Sequence, residues 1–130
     1  MRFFTHEKRI KRDARRLKNS LAKRGCELNY IRCLDLMARL HGFAHFSEWR
    51  NTVWEGQLSL VDEDVDDDTV ELRFLHQETV MAEAGFAAVA GVVLDEVNPT
   101  GRHKPPLWGN EAADDASSSA LQRRESDIDA

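Results

Sequence analysis

The sequence predicts a mainly helical α+β protein: an N-terminal three-helix module, a small acidic α/β segment and a disordered tail. Three observations point there. Apolar residues recur at helical spacing through the first fifty positions. Short β-branched runs flank an acidic stretch near the middle. Beyond residue 98 the periodicity gives way to Pro, Gly, Ser and charge. With 130 residues the chain has room for one core and a tail, not for two full domains. The boundaries read as 1–56, 57–97 and 98–130.

The first helix runs from Thr5 to Gly25. Ile10, Ala14, Leu17 and Leu21 form one stripe of a 3.6-residue period, Thr5 is placed to cap the start, and Gly25 suits the left-handed stop. Around the stripe sit Lys8, Arg9, Lys11, Arg12, Arg15, Arg16, Lys18, Lys23 and Arg24, so the outer surface is strongly cationic.

Asn29 is a good N-cap for a second helix reaching about His41, with Tyr30, Ile31, Cys33, Leu34, Met37, Ala38 and Leu40 as its apolar set. Gly42 then stops it, and Phe43 is placed to fold back on the last turn. Ser47 would cap a short third helix carrying Trp49, Val53 and Trp54, ending at Gly56. His41 is expected to close the corner between these helices, whose rings pack it.

The middle of the chain changes character. "LSLV" and "TVELRFL" read as two strands joined by the acidic loop "DEDVDDD", with Val70, Leu72 and Phe74 on one face. "HQETVMAEAGFAAVAGVVLDEV" begins as a helix over Thr79 to Ala84 and is interrupted at Gly85, while "GVVL" reads equally as a helix end or a strand. From Asn98 onward all three prolines and a polar, charged run predict disorder, with Leu107 and Trp108 as a docking patch.

Charge divides the chain unequally. Residues 1–50 hold 13 Lys/Arg against 5 Asp/Glu, a net +8; residues 51–130 hold 5 against 18, a net −13. Such a split predicts a basic face for an anionic partner and an acidic remainder that competes with it. Two cysteines are too few for a disulfide framework, no apolar run is long enough to span a bilayer, and the basic N-terminus has no apolar stretch of a signal peptide behind it. The expectation is a cytoplasmic protein with reduced thiols and no membrane partner.

Site motifs are scarce. Cys26, Cys33, His41 and His45 have legal H-x3-H spacing, but six residues separate the cysteines and Cys33 falls on an apolar helix stripe, so no metal site is expected. Asp62, Asp64 and Asp66 begin like a calcium loop, yet Asp67 and Arg73 stand where the turn glycine and the bidentate glutamate belong. No nucleophile elbow, phosphate loop, dinucleotide fingerprint or zinc-protease motif occurs, so neither catalysis, a cofactor nor a small-molecule substrate is expected.

Residues 14–54 carry a further pattern. Ala14, Leu17, Leu21 and Gly25 follow A-x-x-L-x-x-x-L-x-x-x-G, and Leu34, Leu36, Ala38, His41, Gly42, Phe43 and Trp49 follow a helix ending in A-x-x-H-G-F with an aromatic corner. This third of the chain resembles the glyoxalase-related protein domain, a small bacterial module. The resemblance implies a compact helical unit and a bacterial or mobile-element origin; it implies no catalytic residues, and the metal-binding half of a glyoxalase has no counterpart here.

The function expected from these readings is that of a non-enzymatic accessory or regulatory protein of a bacterial mobile element or phage, acting as an inhibitor or adaptor on a protein partner, for which a nucleic-acid-binding complex is one candidate. The alternative is a salt-sensitive, weakly sequence-specific nucleic-acid binder. The candidate cationic residues are Lys8, Arg9, Lys11, Arg12, Arg15, Arg16, Lys23, Arg24 and Arg50; the candidate acidic ones are Asp62, Glu63, Asp64, Asp66, Asp67 and Asp68.

Overall fold

In the computed structural model, which describes residues 1–52 and 56–102, five α-helices follow one another: α1 Glu7–Ala22, α2 Tyr30–Leu40, α3 Phe46–Asn51, α4 Asp67–Glu83 and α5 Ala90–Val97. Single 3₁₀ turns at Asp62–Asp64 and Ala87–Val89 lead into the last two. The helical periodicity of the first half is realised. Ile10, Ala14, Leu17 and Leu21 are fully buried, and the Asn29 side chain caps α2 by accepting from the Arg32 amide. His6, not Thr5, stands at the start of α1, without a capping bond from its side chain; the Thr5 side chain is buried instead.

The corner after α2 has the geometry its sequence implied. The Gly42 amide donates to the Arg39 carbonyl at 2.9 Å and the Phe43 amide to the Ala38 carbonyl at 3.0 Å, the two bonds of a Schellman motif. Gly42 has φ +93°, and the Met1 carbonyl oxygen lies 1.6 Å from where a Cβ would stand. A side chain is therefore excluded twice, by backbone conformation and by the N-terminal strand of chain laid across it. The third helix starts earlier than expected: the His45 ring nitrogen, not Ser47, accepts from the Glu48 amide at 3.1 Å.

The expected strands do not form; among the described residues there is no β-structure. "TVELRFL" lies within α4. Asp66 caps that helix by accepting from the Thr69 amide at 2.9 Å, and Asp67 and Asp68 place negative charge at the positive end of its dipole. The buried face of α4 is Arg73, Gln77, Val80 and Met81, at helical spacing but half polar. The apolar alternation Val70–Leu72–Phe74 imitated a strand, but on the helix Leu72 and Phe74 are exposed, Leu72 to 66%, and Val70 is half-buried. "LSLV" takes no regular secondary structure and touches Phe4 (Ser59 amide to Phe4 carbonyl, 2.9 Å) without building a ladder.

One core joins both halves of the chain. Leu17, Cys33, Met37 and Leu40 from α1 and α2 pack with Val80 and Met81 from α4 and Val93, Leu94 and Val97 from α5. The start of the expected tail is also corrected. Pro99, Thr100 and Gly101 are buried, because Arg9 donates to the carbonyls of Asn98 and Pro99 (3.2 Å each) and of Gly101 (2.6 Å). Composition cannot reveal this, since the loop is held through its backbone. The docking patch at Leu107 and Trp108, the rest of the expected tail, and Val53 and Trp54 lie outside the described residues.

Candidate functional site

The cationic surface of α1 divides into two sides with different employment. On one side its side chains hold α5 and the loop after it. Arg16 donates to the Glu96 carbonyl at 3.4 Å, and Lys23 and Arg24 both reach Glu96 Oε2 at 3.1 Å. Hydrogen bonds from Arg24 foremost, then from Ser20 and Lys23, draw the Glu96 carboxyl down to a pKa of about 2. Arg9 belongs to the same side. Its Nε donates at 3.2 Å to Asp13, a carboxylate whose burial raises its pKa to about 6 despite the guanidinium beside it.

On the other side Lys11, Arg15 and Lys18 stand along one edge of an open groove of about 1000 Å³ between α1, α2 and α3, with Arg50 on the opposite edge. Its floor is Tyr30, Ile31, Leu34 and Phe46. Two of these positions are shaped by neighbours: the Arg15 guanidinium sits 5.8 Å from the centre of the Tyr30 ring, and Phe46 stacks on Trp49 at 5.5 Å. Ile31 has no such cover and is 66% exposed, unusual for an isoleucine in a helix that buries most of its apolar residues. Lys11 bonds to Glu7 at 2.7 Å, and this bond, aided by Arg50, keeps the Glu7 carboxyl below its ordinary range. Asp35 also lines the groove, where its Oδ1 is engaged by the Phe46 amide at 2.9 Å.

The structure thus brings together Lys11, Arg15 and Arg50 of the expected basic set, adds Lys18, and leaves Lys8 and Arg12 exposed beside them. It turns Arg9, Arg16, Lys23 and Arg24 to internal work. The groove floor was missed as a site by sequence reasoning. The available signal was an apolar set on α2 too wide for a single buried stripe, in which Tyr30 and Ile31 were surplus.

The acidic residues are largely engaged in holding the fold. Asp62 takes Arg73 on one oxygen at 2.9 Å and the Thr100 hydroxyl on the other at 3.0 Å. Glu63 accepts from the Arg102 amide at 2.8 Å, which lowers its pKa, and Asp64 pairs with the Arg102 guanidinium at 2.6 Å. Asp66 is the α4 cap; Asp67 and Asp68 remain exposed in its first turn.

The four residues weighed as metal ligands have other surroundings. Cys33 is buried, its thiol pushed up to about 11, and bonds weakly to the Leu28 carbonyl at 3.7 Å, while Cys26 Sγ approaches the Arg24 carbonyl at 3.8 Å. His41 is fully buried with Nε2 3.1 Å from the Pro99 carbonyl, and burial depresses its pKa to about 4. His45 caps α3. Among the described residues no group of three or more His, Cys, Asp or Glu is arranged to hold a metal ion, and no helix is long and apolar enough to cross a membrane.

A scan of protein-family models, a search of curated proteins and a search of solved structures each found no match to this chain. The likeness of residues 14–54 to the glyoxalase-related domain rests on the quoted residues alone.

Proposed function

We propose that the chain is a non-enzymatic binding module whose groove between α1, α2 and α3 receives an acidic, amphipathic helix of a protein partner. The observation that carries this reading is the exposed Ile31 in an apolar floor edged by Lys11, Arg15, Lys18 and Arg50. An amphipathic helix laid in a groove presents apolar anchors to the floor and charges to the rim. Cations at the rim set orientation and speed encounter, while the floor supplies the burial term. Partner binding through the acidic candidate residues loses ground, because Asp62, Glu63, Asp64 and Asp66 are occupied within the fold.

The second reading, nucleic-acid binding, is favoured by the same cations and by the rings of Tyr30 and Phe46, which suit base stacking. Against it, Asp35 places a carboxylate along the groove, and a bare isoleucine contributes little to a phosphate backbone.

The test is a titration of the full chain with two fluorescent probes: a designed Glu/Leu amphipathic helical peptide and a mixed-sequence DNA oligonucleotide, single- and double-stranded. The peptide is expected to bind, and Ile31→Asp and Arg15→Glu are each expected to weaken it at least tenfold. Peptide binding that is insensitive to Ile31→Asp, or DNA binding stronger than peptide binding at physiological salt, would overturn the reading.

A further inference from the structure

The outer face of α4 is the chemical complement of the groove. Asp68, Glu71, Leu72, Leu75 and Glu78 share the side of that helix opposite Arg73, Gln77, Val80 and Met81. Leu72 and Leu75 are 66% and 58% exposed, and Asp68 and Glu71 flank them. This is a helix with leucines down its outer centre and carboxylates beside them. The leucines outside and the half-polar face inside leave α4 with almost no amphipathic character, and a helix with apolar residues on two sides calls for two covers. Its own core provides one.

We infer that the second cover is the basic groove of another copy of this chain, so that copies associate head to tail. This rests on the reading of the groove given above and names its partner. The pairing is argued from charge and shape. The groove offers Lys11, Arg15, Lys18 and Arg50 around Tyr30, Ile31 and Phe46; α4 offers carboxylates around two leucines. From Asp67 to Glu78 the helix is about 18 Å long, at 1.5 Å per residue. Within one molecule the two surfaces cannot meet, because α4 is bound to its own core by the opposite face and its leucines point away from it. The contact uses a different patch on each copy, so it is heterologous and leads to rings or open chains instead of a closed two-fold dimer.

Sedimentation velocity of the full chain tests this at rising protein concentration, in about 0.01 M and about 1 M salt, where the screening length falls from about 30 Å to about 3 Å. The mean mass is expected to grow with concentration at low salt and to fall back at high salt. A groove variant, Arg15→Glu with Ile31→Asp, and a helix-face variant, Glu71→Lys with Leu72→Asp, alter exposed side chains; circular dichroism verifies that each is folded. Each alone is expected to associate at least tenfold more weakly than the native chain. Mixed in equal amounts they still have one intact groove and one intact α4 face, so they are expected to form a 1:1 dimer that grows no further. A native chain that stays monomeric, variants that associate as the native chain does, or a mixture that stays monomeric would each overturn the inference. If the model peptide binds the groove while the native chain remains monomeric, the inference falls and the binding-module reading stands; if the peptide also fails to bind, both fall.

Discussion

The imidazole of His41, at the end of α2, meets the carbonyl oxygen of Pro99 at 3.1 Å, fixing the corner of the N-terminal helices to the loop that follows α5. Phe3 packs against the same ring at 5.2 Å between centroids, with the Arg9 and Arg73 guanidinium groups 5.8 Å and 5.1 Å from its own centre. Chain start, α2 and the 98–101 loop therefore converge on one buried polar knot.

That knot predicts an unusual pH response. Burial lowers His41 from 6.5 to about 4, so the unfolded chain binds the extra proton between those values and His41 makes stability fall as pH drops through them. Asp13 is raised from 3.8 to about 6, so the folded chain binds the extra proton and Asp13 makes stability fall as pH rises. Each shift is worth about 3 kcal/mol, and the two oppose each other over nearly the same window. Asp13→Asn, which still offers Arg9 an acceptor, is expected to unmask the His41 slope: relative to the native chain, it should lose about 3 kcal/mol between neutral pH and about pH 4. Urea denaturation across that range measures it. Parallel profiles for the two proteins would refute the opposing pair.

Gly42 and Gly85 both have positive φ, +93° and +94°, but only Gly42 has backbone in the place of a Cβ. Gly85→Ala is expected to cost about 1–2 kcal/mol, the penalty of the left-handed region for an L-residue. Gly42→Ala must also displace Met1 and Arg2 and is expected to cost clearly more. Thermal unfolding of the two variants ranks them, and equal losses would mean the N-terminal segment does not lie across Gly42.

The acidic segment should behave as scaffold. Asp66→Ala removes the α4 cap and is expected to destabilise by about 1 kcal/mol. Asp62→Ala strips the acceptor from the largely buried Arg73 and from Thr100, and should cost more, about 3 kcal/mol. Asp67→Ala, exposed beside them, should stay within about 0.5 kcal/mol. Chemical denaturation of the three gives the order; equal effects would leave the cluster a solvated charge run.

Neighbouring arginines on α1 should separate binding from folding. Arg15→Glu alters the groove and is expected to abolish probe binding with little change in urea midpoint. Arg16→Glu faces the α5 terminus, with its Glu96 carbonyl contact, and is expected to leave probe binding near native while lowering stability. Fluorescence titration and denaturation on the same preparations check the pair, and a reversed outcome would misplace the site.

What was legible in the amino-acid order was whatever a single helix dictates locally. Leu17 and Leu21 repeat at the helical period, Asn29 caps with its own side chain, and Gly42 followed by Phe43 closes a turn through bonds a few residues apart. The candidate site was legible only in outline: Lys11, Arg15 and Arg50 could be named as cations, but not distinguished from Arg9 and Arg24, because partners up to 92 residues distant decide which cations are engaged within the fold.

The sequence by itself determined the helical N-terminal half, the Asn29 cap and the Gly42 corner, since those depend on contacts within a turn or two of chain; the starts of α1 and α3 it misplaced. Only the tertiary structure decided that "TVELRFL" is helical and that the acidic run is mostly scaffold. Tertiary packing also drew Asn98–Gly101 into the fold. The physical reason is common to all three. The inward face of α4 is half polar, so its burial depends on Asp62 and Thr100 arriving from elsewhere, and a loop gripped by its carbonyls leaves no trace in its side chains.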